Sequence, residues 1–422
     1  MALEVVRRVT DEGAYSNLTL AGELRRARLD DPRERALATD LAYGTLRRLL
    51  ALDRALERHT ERPLSTAPPR GRALLRLGAY QLLHTRIPPH AAVSQTVGLG
   101  WKRERGFVNA VLRKLAADPP EPTEGQDDEA MSQRTGMASW AIHELRRLLP
   151  SWEVEEAAHA FAARAPLSLS VNRCRSTVGE VEVALRAAGH EPRPAGLDPD
   201  VLLVDGAEPA SLPGFREGRF AVQDQASVAV VRALDPRPGE RVLDACAGPG
   251  GKAALAACLV QPGGRVVGTD AVPRRAGLVA TNAARLVVPI AVLAMDSRRP
   301  AVRGPFHRIL VDAPCSGLGS ARRRPELLWR PRKDQLAHLA RLQVAIAAGV
   351  AGLLAPGGRL VYSVCTFPRA ETDAACDAIV RHAPFLEPEA VSGPDGPAER
   401  FRLWPHRHDA DGMFIAAFRR SA

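Results

Sequence analysis

The chain has 422 residues, of which 45% are hydrophobic and 25% charged, and its formal net charge is +10. This length predicts about two or three domains, and no apolar run is long enough to cross a bilayer. The first residues carry early acids and no signal-peptide core, so we expect a cytoplasmic protein. The six cysteines include no CxxC pair, which predicts neither a disulfide framework nor a metal site.

Residues 1–118 show apolar spacings of three and four residues, interrupted by prolines, as is typical of helices. This pattern predicts an all-α bundle of about five to seven helices. The region holds 21 basic and 13 acidic residues, a net charge of +8. A basic excess favours a polyanionic partner such as nucleic acid, although an arginine-rich proteome would produce the same excess.

Two shorter regions follow the bundle. Residues 119–129 are rich in proline and acids, with a net charge of −5, and are interpreted as a solvated linker. Residues 130–235 mix helical and strand-like runs, which predicts a small α+β domain. From 236 to 422, six apolar runs of strand length alternate with helical stretches, which predicts a Rossmann-like, doubly wound, mostly parallel α/β domain.

The stretch "RVLDACAGPGGKAAL" in this last domain predicts a strand, a glycine-rich turn and a helix. A nucleotide P-loop is disfavoured, since Cys246 stands where its first glycine is needed and Ala253 follows Lys252. The turn also lacks the GxGxxG spacing of dinucleotide sites. S-adenosylmethionine is the ligand that remains, because glycines let its methionine part approach the backbone.

Acidic residues at successive predicted strand ends support this ligand. Each alone could be a helix N-cap, but four beside a glycine-rich turn favour a cofactor site at the carboxyl edge of the sheet. An acid after the second strand would hold ribose hydroxyls, and one after the third could meet the adenine amino group. The four acids, in chain order, are Asp244, Asp270, Asp296 and Asp312.

Two cysteines fall at the same predicted edge, Cys315 after the fourth strand and Cys365 at the end of the fifth. A lone cysteine is usually a small buried hydrophobe, but a pair at a ligand edge favours catalysis. A thiolate that adds to carbon 6 of a pyrimidine makes carbon 5 nucleophilic, and a second group can assist release after methyl transfer. Asp312 is placed to stabilise the adduct near ring nitrogen 3.

The motifs "DACAGPGGK", "VDAPCSGLGS" and "LVYSVCTFPRAET" resemble those of RNA cytosine-5 methyltransferases, and "DLAYGTLRR" and "GFVNAVLRK" resemble a NusB-like RNA-binding domain. In this order they are similar to the RsmB/Sun family of bacterial rRNA cytosine-5 methyltransferases. The resemblance implies Cys365 as nucleophile, Cys315 as the group that assists release, and Asp312 and Lys252 as further catalytic residues. It implies these cofactor contacts: Cys246, Ala247, Gly248, Pro249, Gly250, Gly251, Lys252, Asp270, Asp296 and Asp312.

The implied partner is small-subunit rRNA or an assembling subunit, methylated by a monomer without a membrane or metal. A tRNA substrate stays open, as does an RNA-binding or antitermination factor without catalysis. An amino-group methyltransferase is disfavoured, because Asp312-Ala313-Pro314-Cys315 lacks the aromatic residue that stacks on the base. The chain departs from the usual family pattern at several positions, among them Gly248 where alanine is common and Thr372 where asparagine is usual.

Overall fold

The computed structural model describes residues 1–29, 31–206 and 208–421. The chain forms two compact units, and each combines two separate stretches of sequence. The first unit consists of Met1–Ala163 and Ala321–Pro331, and the second of Arg164–Ser320 and Arg332–Ala422. The domain limits predicted from the sequence do not coincide with this division and stay predictions. No helix in the described ranges is long and apolar enough to span a membrane.

The first unit is helical, and seven of its helices lie in the region for which five to seven were predicted. Prolines at the first helical turn begin α3, α5 and α6, where the missing N–H needs no partner. The apolar faces share one core that includes Val5, Leu52, Leu74 and Leu112. In its described residues the helices are α1 (Ala2–Asp11), α2 (Ser16–Ala27), α3 (Pro32–Arg47), α4 (Leu49–Glu57), α5 (Pro69–His84), α6 (Pro89–Gly98), α7 (Lys102–Ala117), α8 (Asp128–Thr135), α9 (Ser139–Arg146) and α10 (Val154–Ala162).

A distant stretch of sequence, residues 321–331, packs into this helical unit. The Trp329 indole N–H donates to the carbonyl of Leu46 at 2.9 Å. The Arg330 guanidinium donates to the carbonyl of Val9 at 2.7 Å. The buried carboxylate of Glu326 accepts from the backbone N–H of Ser16 at 3.3 Å. The segment is thus tied to the helices by its own side chains.

The second unit begins with a small antiparallel sheet of order β2–β3–β1–β4. Strand β1 pairs with β3 on one side and β4 on the other, and the sheet covers a small core that includes Leu169, Leu185 and Phe220. The elements are β1 (Leu167–Val171), α11 (Val178–Ala187), β2 (Arg193–Pro194), β3 (Val201–Val204) and β4 (Phe220–Val222). This agrees with the strand-like runs predicted in this region.

The rest of the second unit is an α/β layer structure around a large sheet of order β10–β14–β9–β8–β5–β6–β7, with β13 paired to β14. Strands β5 to β9 are parallel, whereas β14 joins β9 antiparallel. The strands of this sheet are β5 (Arg241–Asp244), β6 (Arg265–Asp270), β7 (Ile290–Ala294), β8 (Phe306–Asp312), β9 (Leu354–Val364), β10 (Leu386–Pro388), β13 (Arg400–Leu403) and β14 (Met413–Arg420). Strands β11 (Val391–Gly393) and β12 (Gly396–Ala398) form a separate two-stranded sheet. The helices are α12 (Gln225–Leu234), α13 (Gly251–Leu259), α14 (Pro273–Leu286), α15 (Leu336–Ala351), α16 (Asp373–His382) and α17 (Pro405–His408). All six predicted strands are present, and the Rossmann-like prediction is confirmed.

One sequence-based expectation is wrong. Cys174 and Cys258 form a disulfide, with Cα atoms 5.8 Å apart, although no disulfide was predicted. The two residues are 84 positions apart, so no local spacing could reveal the pair. The loop after β1 meets the end of α13 in the folded unit, and this brings the sulfurs together.

Candidate active site

The predicted acids and thiols gather at the carboxyl edge of the parallel strands. Strands β5, β6 and β8 end at Asp244, Asp270 and Asp312, and β9 ends one residue before Cys365. Parallel strands present these ends at one edge, where open sheets bind ligands. Asp296 was predicted to end the third strand of the sheet, but β7 ends two residues before it, at Ala294.

The glycine-rich turn joins β5 to α13. Gly250 caps α13 with φ of 111°, and a Cβ there would lie 3.0 Å from Cα of Val279. Only glycine therefore fits without strain. Asp244 is buried beneath the turn, where one carboxyl oxygen accepts from the backbone N–H of Cys246 at 3.3 Å. Burial, followed by the nearby Asp312 carboxyl, raises the pKa of Asp244 to about 7.

Asp270 is held by a neighbour that sequence reasoning missed. One of its oxygens accepts from the backbone N–H of Val272 at 2.9 Å and the other from Arg275 Nε at 3.0 Å. Arg275 also donates to the carbonyl of Gly248 at 2.7 Å. A Cβ on residue 248 would approach the Asp270 oxygen to 2.5 Å and Arg275 Cβ to 3.0 Å. This crowding is a physical reason for glycine at 248 in this chain.

Asp296 lies in a more open setting. Its carboxylate pairs with Arg298 at 2.7 Å, and both side chains are well exposed. Hydrogen bonds from the Arg298 side chain and backbone lower the pKa of Asp296. The predicted adenine contact stays a prediction.

Asp312 and Lys252 form a tight pair beside the thiols. Lys252 Nζ lies 2.7 Å from Asp312 Oδ2, and Ser363 Oγ donates to Asp312 Oδ1 at 2.9 Å. Burial opposes the charged form of Lys252, but the Asp312 carboxylate outweighs it and raises the pKa of Lys252 overall. The start of α13 and the end of β8 are thereby connected by a charged hydrogen bond.

The two thiols meet as the strand order predicts. Cys315 Sγ lies 3.4 Å from Cys365 Sγ, although fifty residues separate them. The hydrogen bond from Cys315, opposed by burial, lowers the pKa of Cys365. The same hydrogen bond, reinforced by burial, raises the pKa of Cys315 well above its usual value. These opposite pKa shifts favour Cys365 over Cys315 as the thiol that ionises, and at this sulfur–sulfur distance either thiol can donate to the other.

A buried polar network holds the Cys315 loop. Glu371 Oε1 accepts from the backbone N–H of Ser316 at 2.9 Å and from Gln343 Nε2 at 2.9 Å. Gln343 Nε2 also donates to the carbonyl of Pro314 at 3.0 Å, and the hydroxyl of Tyr362 lies 3.0 Å from Gln343 Oε1. Burial raises the pKa of Glu371. Sequence reasoning gave these residues no role, although a glutamine inside the apolar helix α15 is a detectable signal.

A direct link also joins the two thiol loops. Ser316 Oγ and Thr366 Oγ1, each one residue after a thiol, lie 2.7 Å apart. The loops that carry Cys315 and Cys365 are thus connected by this hydrogen bond as well as by the sulfur contact. Within the described residues, no cluster of three or more His, Cys, Asp or Glu side chains could hold a metal ion.

Comparison with known proteins places this geometry in a family. A model of the NusB family matches residues 1–117, and a model described as 16S rRNA methyltransferase RsmB/F matches residues 231–419. A Mycobacterium tuberculosis protein that carries the general name methyltransferase is 37% identical over 99% of this chain and 95% of its own length. The ribosomal RNA small subunit methyltransferase B of Klebsiella pneumoniae is 35% identical over 91% of this chain and 90% of its own length.

This chain belongs to the RsmB/F family of 16S rRNA methyltransferases. The fold of this RsmB/F member is also known from crystal structures. That of a protein named PH0851 superimposes with a TM-score of 0.88, covers 99% of this chain and 97% of its own, and is 24% identical. The family resemblance and the NusB-like helical domain predicted from the sequence are therefore confirmed.

Proposed function

We propose that this RsmB/F member methylates carbon 5 of a cytosine in small-subunit rRNA with S-adenosylmethionine as methyl donor. The observation that carries the proposal is the thiol pair, with sulfurs 3.4 Å apart and opposite pKa shifts at Cys365 and Cys315. Transfer to a nitrogen or a hydroxyl needs no covalent help from a thiol, whereas carbon 5 of a pyrimidine does. Two unequal thiols at the ligand edge suit that requirement.

The residues of the β5–β6 edge fit the cofactor. The tight turn at Gly250 leaves backbone close to the ligand edge, and the Asp270 carboxylate can accept two ribose hydroxyls if Arg275 yields its place. Asp296 would contact the adenine amino group. When bound, S-adenosylmethionine supplies an electrophilic methyl group to carbon 5.

The thiolate of Cys365 forms a bond to carbon 6 of the cytosine, and the former double-bond electrons become available at carbon 5. The addition leaves negative charge on the ring, and nitrogen 3 takes up the proton that the Cys365 thiol has lost and returns it to that sulfur on release. The Asp312 carboxylate, held by Lys252 at 2.7 Å, accepts a hydrogen bond from this N–H and so stabilises the adduct. After methylation, the carbon-5 proton leaves to a base. Its bonding electrons restore the ring double bond as the sulfur–carbon bond breaks. Cys315 assists this release, since it contacts the departing sulfur directly.

The experiment is methyl transfer to small-subunit rRNA from a strain that lacks this gene. Wild-type protein should place 5-methylcytosine at one position, mapped by bisulfite sequencing. Cys365→Ala should abolish transfer and leave binding of S-adenosylmethionine unchanged, because the thiol acts on the base. Cys376→Ala is the matched control, since Cys376 is a buried thiol outside the site. Retained transfer in Cys365→Ala, or a methyl group on another atom, would overturn the proposal.

A further inference from the structure

The disulfide between Cys174 and Cys258 joins two parts of the second unit that have different roles. Cys174 lies in the loop after β1 of the small antiparallel sheet (β1–β4), and Cys258 lies in the last turn of α13. Helix α13 begins at Gly251, directly after the glycine-rich turn of the candidate cofactor site. From Gly251 to Cys258 the helix rises by about 10 Å. The disulfide is therefore connected to the cofactor site through one short, rigid element.

Hydrogen bonds attach the small sheet to α14, the helix that follows β6. The Asn172 side chain donates to the carbonyl of Leu286 at 2.8 Å, and Arg285 donates to the carbonyl of the first residue of β4 at 3.1 Å. Helix α14 also holds the glycine-rich turn, because Asn282 Nδ2 donates to the carbonyl of Pro249 at 2.8 Å. The small sheet and the turn are thus fixed to the same helix.

Helix α13 is attached to the small sheet differently. No hydrogen bond joins the two among the residues that the structure describes, and the disulfide is their covalent connection. Gln223, just after β4, lies against Gly251, yet within the described ranges neither polar atom of its side chain has a hydrogen-bond partner. The small sheet, α14, the glycine-rich turn and α13 therefore form a closed frame that the disulfide completes.

The two sulfurs are accessible, and the fold keeps them close together when their bond is cut. Cys174 is exposed and Cys258 partly exposed, so a small thiol can reach the disulfide. The Cys174 loop is also held without the bond, because the Cys174 N–H donates to Asn172 Oδ1 at 3.2 Å and Asn172 is bonded to α14. Accessible disulfides exchange with small thiols, and thiols held side by side re-form their bond readily.

We propose that Cys174 and Cys258 form a reversible thiol–disulfide switch that sets the affinity of the enzyme for S-adenosylmethionine. In the disulfide form the closed frame holds the glycine-rich turn in place before the cofactor binds, so affinity is higher. In the dithiol form α13 is free to shift, and binding must order the turn. The inference rests on the proposed function, since it regulates the cofactor site described there. In the cytoplasm that the sequence predicts, small thiols keep such a bond in exchange.

The oxidant is a low-molecular-weight disulfide such as oxidised glutathione. The Cys174 thiolate attacks one of its sulfurs, forms a mixed disulfide and releases a small thiolate, which takes up the proton that Cys174 lost. The Cys258 thiolate then attacks the Cys174 sulfur and displaces a second small thiolate, which takes up the Cys258 proton. Two electrons pass from the protein to the reagent, and excess reduced glutathione reverses both steps.

Thiol trapping tests the exchange. Full-length protein is incubated at a series of ratios of reduced to oxidised glutathione, alkylated and analysed by mass spectrometry. The Cys174–Cys258 bond should be lost in excess reduced glutathione and recovered in excess oxidised glutathione. Cys376, a buried thiol, is the internal control and should resist alkylation throughout. A bond that withstands reduced glutathione in the folded protein, or that never forms, would overturn the proposal.

Calorimetry tests the coupling between the bond and the cofactor. S-adenosylmethionine should bind about fivefold more tightly to oxidised than to reduced wild type, the lower end of the usual coupling between two sites. Because such coupling is reciprocal, saturating S-adenosylmethionine should shift the ratio of disulfide to dithiol by the same factor at a fixed glutathione ratio. Equal affinities in the two forms, with no shift in the ratio, would show that no switch exists.

Cys174→Ser is the matched variant, because it removes one exposed sulfur and cannot form the bond. Its affinity for S-adenosylmethionine should equal that of reduced wild type and should not respond to oxidised glutathione. Reduced wild type gives the same comparison without a substitution. A response in Cys174→Ser as large as that of wild type would assign the effect to another pair, such as Cys315 and Cys365, and overturn the proposal.

Methyl transfer separates this inference from the proposed function. If the protein binds S-adenosylmethionine more tightly in its disulfide form but does not methylate rRNA at carbon 5 of a cytosine, the proposed function fails and the switch stands. If wild type methylates rRNA as proposed but binds S-adenosylmethionine equally in both redox forms, the switch fails alone.

Discussion

The two halves of the ligand edge are built differently, although they belong to one sheet. On the β8–β9 side, the thiols and Asp312 are bonded to groups that are themselves largely buried, such as Lys252 and Ser363. On the β6–β7 side, Asp270 and Asp296 pair with arginines that are 52% and 54% exposed. The first arrangement fixes reacting groups before a ligand arrives. The second uses partners that water can replace, which suits carboxylates that must accept a ligand.

The difference is one of energetics as well as position. The exposed pair of Asp296 and Arg298 contributes little to stability, typically about 0–1 kcal/mol. Asp270 is itself only 8% exposed, but its partner Arg275 is 52% exposed, so a ligand hydroxyl that replaces the guanidinium leaves the carboxylate hydrogen-bonded. A buried hydrogen bond is costly to break, because the group left behind is unsatisfied. Substitutions on the two sides should therefore give different kinds of effect: loss of stability and turnover on the thiol side, and changes in cofactor affinity on the other.

The largest effect on stability should come from Asp244, which is buried at the end of β5 next to β8. Its pKa of about 7 in the folded protein lies above the ordinary value of 3.8, so the folded state binds the proton more tightly. The stability that this group contributes is complete below about pH 3.8 and is lost as the pH rises to about 7, by about 4 kcal/mol. Asp244→Asn should remove this part of the pH dependence, as measured by urea unfolding from pH 4 to 8. Parallel curves for wild type and variant would contradict a buried, high-pKa carboxyl.

On the β6–β7 side, Asp270→Ala should weaken S-adenosylmethionine binding by about 10- to 150-fold, or about 1.5–3 kcal/mol. The reason is loss of charge-assisted hydrogen bonds to the ribose. Asp296→Ala serves as a comparison, because its carboxylate is more exposed and should contribute less. Calorimetry that shows unchanged affinity in Asp270→Ala would move the ribose contact elsewhere.

Glu371→Ala tests whether the buried network positions Cys315. It leaves the N–H of Ser316 without its acceptor and removes one of the two acceptors of the Gln343 amide, which should cost about 1–3 kcal/mol of stability. It should also lower kcat while KM for rRNA changes little. Glu371→Gln keeps an acceptor oxygen and should recover most of the turnover. If Ala and Gln lower kcat equally while both proteins stay folded, the carboxylate has a role other than positioning.

Arg275→Ala should give the smallest effect of these variants. It should change the affinity for S-adenosylmethionine in the direction opposite to Asp270→Ala. Its removal frees the Asp270 oxygen that it now occupies, so S-adenosylmethionine should bind up to about fivefold more tightly. Gly248→Ala provides a second perturbation of the same contact, since the new Cβ would approach Asp270 to 2.5 Å. Weaker cofactor binding in Arg275→Ala would mean that this arginine orients Asp270 rather than competing for it.

The sequence predicted elements with local signals and missed contacts between distant ones. Six strands, the glycine-rich turn and the thiols at strand ends follow from periodicity and strand order, so their meeting at one edge could be foreseen. The disulfide between Cys174 and Cys258 could not, because it depends on how a loop packs against a helix. The same holds for Arg275, which reaches back to the turn from the next helix, and for residues 321–331, which join the helical unit.

The central claim is that Cys365 attacks the base and Cys315 assists its release. The most direct test is to incubate Cys315→Ala with rRNA and S-adenosylmethionine and to examine the denatured products by electrophoresis and mass spectrometry. The account predicts a stalled covalent protein–RNA complex, with the nucleotide attached to Cys365, that is absent from the double variant with Cys365→Ala. Normal turnover of Cys315→Ala without a complex, or a complex that persists after removal of Cys365, would contradict it.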